Sequence, residues 1–213
     1  MFPHLFQLGV GFFGISHVKK INQKHYNKYN IQVHKLSAKP TKIPKIINQK
    51  VVEKTIENIQ NKNLELDCIV ILLGDNDIGA EHPKYIFKNI IKISETFEDK
   101  NYQTIIVPIL NRKKPKKIST KQYKTNRNYI NKQLRKYYKQ KKINKILKIR
   151  DLALGKDGVH LKESSYKILA KSIKFHLENI APKKLLKLPP NTYTDEKTKE
   201  EWIIENITEE TST

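Results

Sequence analysis

The stretch Asp67-Cys68-Ile69-Val70-Ile71-Leu72-Leu73-Gly74-Asp75-Asn76-Asp77 holds six consecutive apolar residues, three of them β-branched, closed by a glycine and three polar side chains. A run this short, apolar without alternation and cut off by turn residues, predicts a strand covered on both faces. Segments of the same character recur on either side, at about Leu5 to Phe13, Ile31 to Leu36, Thr104 to Leu110 and Asn144 to Ile149. Helical spacing fills the intervals. Val51, Val52, Ile56 and Ile59 mark a helix over Ile46 to Asn61, and Ile86, Ile90, Ile91 and Ile93 mark another over Tyr85 to Phe97. Thr125 to Gln140 forms a third, and Ser164 to Asn179 a fourth with Ile168, Leu169, Ile173 and Leu177 on one stripe. Strands alternating with helices predict an α/β fold with a parallel five-stranded sheet, right-handed crossovers and helices on both faces. In such sheets ligands sit beyond the carboxyl ends of the strands.

The chain has 213 residues, enough for one domain, read here as residues 1–182 followed by an acidic tail at 183–213. Its 42 Lys and Arg against 21 Asp and Glu give a net charge of +21, yet 38% hydrophobic residues still supply a core. Residues 192–213 carry seven acidic and two basic side chains, so the preceding body holds +26. Lys199 to Ile207 reads either as a short helix around Trp202 that docks on the basic body or as disorder. Only four residues, Arg112, Arg127, Arg135 and Arg150, are arginine, the residue that specific phosphate or base recognition favours. Runs such as Arg112 to Lys117 and Arg135 to Lys142 therefore read as solvated surface, with weak, salt-sensitive attraction to nucleic acid or acidic membranes as a by-product. No apolar run reaches membrane-spanning length. The lone Cys68 excludes an intrachain disulfide, and the N-terminus lacks the basic leader of a signal peptide. An intracellular, cytoplasmic protein is expected, with no cofactor and no metal.

The seven glycines fall in three places: Gly9, Gly11 and Gly14 at the first strand, Gly74 and Gly79 after the third, Gly155 and Gly158 after the fifth. Turns shaped by glycine at strand ends carry the chemistry-bearing residues: Gly14-Ile15-Ser16-His17, Gly74-Asp75-Asn76-Asp77 and Asp157-Gly158-Val159-His160. A serine becomes a nucleophile when an imidazole takes its proton and a carboxylate orients that imidazole, and Asp157 and His160, three apart, supply such a pair. Asn76 can donate its amide to the oxygen that becomes negative in a tetrahedral intermediate. Each motif alone is common; by composition the three together arise roughly once in a thousand such chains. Taken singly, Ser16 also reads as a helix cap and Asp157-Gly158 as a turn. His17 reads as structural or pocket-lining.

These blocks resemble the SGNH (GDSL-like) hydrolase family over residues 5 to about 180. The resemblance implies a three-layer αβα flavodoxin-like fold and a serine esterase or deacetylase acting on a carboxylic (acyl or acetyl) ester. It assigns Ser16 as nucleophile, Asp157 and His160 as its triad partners, the Ser16 backbone N–H and Asn76 as oxyanion donors, and Gly14 and Gly74 as supporting residues. Ile15 stands where the first block usually has an aspartate, and Ser37 to Thr41 lacks the second block's glycine. If Pro40 occupies that place, a backbone donor is missing, which leaves Lys39 or Thr41 to supply one. The alternative is a catalytically weakened scaffold that binds nucleic acid or an anionic surface through its lysines.

Overall fold

The computed structural model describes residues 7–37, 49–115, 117–149 and 152–180. Four parallel strands, β1 (Leu8–Gly14), β2 (Ile31–Ser37), β3 (Cys68–Leu72) and β4 (Thr104–Ile106), lie in the order β2-β1-β3-β4. Helices α1 (Ser16–Lys20), α2 (Gln49–Asn61), α3 (Pro83–Glu98), α4 (Thr120–Gln140) and α5 (Glu163–Ile180) surround them. The first and second strands lie on one side of the switch between β1 and β3, which is the doubly wound arrangement with its ligand crevice at that switch.

The side-chain alternation of β1 explains the two layers. Val10 and Phe12 join a core with Val18 of α1 and Leu169, Ile173 and Leu177 of α5. Phe13 points the other way, into a core with Ile56 of α2, Ile86 and Phe97 of α3, and Ile130 and Leu134 of α4. Cys68 is fully buried among these apolar groups, and burial pushes its thiol far above the ordinary range, so it packs as a small hydrophobe.

The sheet departs from expectation at its far edge. The fifth segment, Asn144 to Ile149, does not form a ladder; it joins β4 through one parallel bridge, Ile106 with Ile146, where Ile106 N–H donates to Lys145 O (2.8 Å) and Leu147 N–H to Ile106 O (2.9 Å). Pro108 is the reason. It follows β4 closely and has no N–H to continue pairing on the edge where Ile106 meets Lys145; on the β3 side Val107 N–H still donates to Ile71 O (3.0 Å) but Ile109 N–H turns to Asn131 Oδ1, so β4 ends at Ile106 instead of Leu110. Lys145 anchors the segment by an ion pair to Glu98 of α3. Two smaller corrections concern helices. Ile168 is 40% exposed, because the buried stripe of α5 runs through Leu169, Ile173 and Leu177 at a strict four-residue spacing. The helix expected from Thr125 starts at Thr120, where Ser119 caps it by accepting the Gln122 N–H (3.2 Å).

Gly14 closes β1 against β3. A Cβ built there would stand 2.3 Å from the Leu72 carbonyl oxygen, a backbone atom that cannot rotate away. Gly14→Ala is accordingly expected to cost about 3 kcal/mol or more, read as a lower urea midpoint.

Candidate active site

Three turns meet at the carboxyl ends of β1 and β3. Ser16 is the first residue of α1, separated from the end of β1 by Ile15 alone. Its backbone N–H belongs to the first turn, where helical amides lack intrahelical acceptors. Its hydroxyl is buried and makes no hydrogen bond among the described residues. Asn76 lies in the turn after β3, where Gly74 adopts φ +96°, a conformation open to glycine and strained for other residues.

Asp157 and His160 occupy a tight loop whose stem is a bridge between Leu154 and Leu161. Gly155 N–H donates to His160 O (2.7 Å), and Ser165 Oγ grips Ala153 at both its N–H and its carbonyl. Within the loop Asp157 Oδ2 is 2.6 Å from His160 Nδ1, while its Oδ1 accepts the backbone N–H groups of Val159 and His160 (2.9 Å each). The bond to His160, followed by those two backbone donors, holds the Asp157 carboxyl well below the usual carboxylate range. The aspartate therefore stays ionised while His160 Nε2 faces away from it.

His17 ties the turns together. Its ring lies edge-on to that of His160 with centroids 5.5 Å apart, and its Nε2 is 3.4 Å from Asp75 Oδ2, in the turn that carries Asn76. It is 4% exposed, so the expectation of a structural, pocket-bordering side chain agrees with where it sits. Ser16 and His160 make no hydrogen bond to each other. The second-block stretch around Pro40 falls outside the described residues, as does the acidic tail.

Arg112 contradicts the sequence expectation. It heads a basic run expected on solvated surface, yet it is 5% exposed, because an acidic partner awaits it inside. Its Nη2 donates to Asp75 Oδ2 (3.1 Å) and to Asn76 Oδ1 (2.7 Å). Burial alone would raise the Asp75 carboxyl; the hydrogen bond with His17 and the Arg112 charge outweigh that and lower it. With its oxygen accepting from Arg112, the Asn76 amide keeps its two N–H groups as donors. The arginine is fixed in turn by α4: Asn131 accepts from Ile109 N–H (2.8 Å) and donates to Ile109 O (3.0 Å), and Tyr123 Oη donates to Leu110 O (3.1 Å). Lys113 N–H then donates to Gly158 O (2.8 Å), coupling this strap to the Asp157–His160 loop. The available sequence signal was position: Arg112 is one of four arginines and stands just beyond the fourth apolar segment.

Asp77 sits beside this network. Burial first, then the neighbouring carboxylates Asp75 and Glu81, push its carboxyl up from 3.8 to about 6. Between those values the folded chain holds a proton that the unfolded chain has lost, so stability falls as pH rises through that interval and is flat above it. The full effect is about 3 kcal/mol. Asp77→Asn is expected to gain about that much on wild type between pH 3.5 and pH 8, measured as the change in the urea-unfolding difference. An unchanged difference refutes the assignment.

No group of three candidate metal ligands occurs among the described residues, and none of their helices is long and apolar enough to cross a membrane. No family model and no curated protein matches the chain. Solved structures do. A GDSL-like lipase from Bacteroides thetaiotaomicron superposes with a TM-score of 0.59 at 19% identity over 80% of this chain and 88% of that one. The acetyl xylan esterase AlAXEase gives 0.55 at 15% identity over 78% and 98%. A member of the lipolytic G-D-S-L family from Veillonella parvula gives 0.52 at 16% over 83% and 99%. The chain thus has the three-layer fold of the SGNH (GDSL-like) hydrolases, parallel sheet included.

Proposed function

We propose that the chain is a serine ester hydrolase that passes an acyl group first to Ser16 and then to water. The supporting observation is the meeting of three sequence-distant turns around the His17–His160 contact, with a carboxylate already bonded to His160 Nδ1.

Ser16 Oγ attacks the ester carbonyl as its proton passes to His160 Nε2, and Asp157 stabilises the imidazolium that forms. The carbonyl oxygen, now negative, is met by the Ser16 backbone N–H and the Asn76 side-chain amide, whose orientation Arg112 sets. Collapse of the intermediate breaks the bond to the alcohol, which leaves with the proton from His160. Water repeats the sequence, and Ser16 is regenerated with release of the acid. The open Ser16–His160 contact is of the kind that closes when substrate arrives.

The acyl group in this reading is short. Acetyl is the group this reading favours, in keeping with the acetyl xylan esterase among the similar structures. The test is labelling with a fluorophosphonate followed by mapping of the modified peptide. An adduct on Ser16, together with turnover of p-nitrophenyl acetate that outpaces that of long-chain esters, is expected. Labelling elsewhere, or none, overturns the proposal.

A further inference from the structure

A second concavity lies away from these turns, between the C-terminal half of α4 and the Asn144–Ile149 segment at the sheet edge. It encloses about 660 Å³ and carries Arg135, Lys139, Lys142 and Lys148 beside Ile146 and Leu147. All four cations are exposed, and none forms an ion pair among the described residues. The segment's outer edge carries no strand among those residues either. A groove that combines four unpaired positive charges with apolar side chains suits an occupant that is both acidic and apolar.

The chain contains one. Residues 195–210 hold seven acidic and two basic side chains around Trp202, Ile203, Ile204 and Ile207. The connection is short. His176 of α5 is hydrogen-bonded to the backbone of Asn144, a residue lining the groove, and α5 ends one turn later at Ile180. The 22 residues from Ala181 to Trp202 can span about 70 Å when extended, more than the radius of a domain this size. Tethering so close raises the local concentration of the segment at the groove.

We infer that residues 195–210 dock intramolecularly in this groove, with the carboxylates over Arg135, Lys139, Lys142 and Lys148 and Trp202 against the apolar side chains. The inference does not depend on the hydrolase assignment. It uses the charge asymmetry along the chain and the location of the α5 terminus.

Trp202 is the only tryptophan in the chain, so its fluorescence reports this contact in the unmodified full-length protein. At low salt its emission is expected to be blue-shifted and shielded from acrylamide. High salt should move it towards the emission of the urea-unfolded chain, because solvent-facing ion pairs are screened. Lys139→Glu with Lys142→Glu, both exposed, should do the same and raise the quenching constant severalfold. Lys84→Glu with Lys88→Glu, exposed on α3, should leave it unchanged. Emission already matching the unfolded chain overturns the inference. So does a shift indifferent to the groove substitutions, which places the segment elsewhere, or one that grows with protein concentration, which places it on another molecule.

Discussion

Ser16→Ala is expected to lower kcat for p-nitrophenyl acetate on the order of 10⁴-fold or more and to abolish fluorophosphonate labelling, while the urea midpoint stays at the wild-type value. The hydroxyl makes no hydrogen bond among the described residues, so its loss removes the nucleophile without removing a structural contact. The pH profile separates this role from a passive one. His160 must be neutral to accept the serine proton, so activity falls on the acid side, whereas Asp157, held in its ionised form by three hydrogen bonds, does not add a second acid limb. Asp157→Asn is the companion variant: it should depress kcat while leaving Ser16 in place. Equal labelling of wild type and Ser16→Ala would remove the serine from the mechanism.

Arg112→Met is expected to have the second largest effect, and on two observables at once. Removing a buried cation leaves the Asp75 carboxylate with His17 as its remaining side-chain partner, which costs about 3 kcal/mol of stability. It also frees the Asn76 carbonyl, so the amide no longer has a fixed face towards the developing oxyanion. Loss of one such donor lowers kcat by about 10²- to 10³-fold, and a positioning role predicts that KM changes far less than kcat. The double variant Arg112→Met with Asp75→Asn should recover much of the stability, since the carboxylate charge is gone, but not the rate, because Asn76 remains unanchored. Recovery of both would make Arg112 a stabilising residue only.

How the two networks are built explains which was legible. Asp157 and His160 are three residues apart on one loop, so their contact follows from local geometry and from the turn at Gly158, and the sequence suffices to foresee it. Arg112 reaches Asn76 and Asp75 across 36 and 37 positions, and its rarity and its place beyond the fourth apolar segment do not by themselves name its partners. The same distinction applies to the sheet. β3 and β1 are apolar on both faces and announce themselves, whereas the failure of Asn144 to Ile149 to form a full ladder depends on Pro108 in a different segment.

The sequence alone determined the alternation of strands and helices, the strand ends at which glycines gather, and the polar residues those turns carry, because periodicity and turn chemistry are properties of neighbouring residues. Tertiary structure decided that Arg112 turns inward to orient Asn76, that His17 stands between Asp75 and His160, and that four cations of α4 and the sheet edge share one groove. Those outcomes depend on how strands order themselves in the sheet, and strand order places side chains together that no local pattern relates.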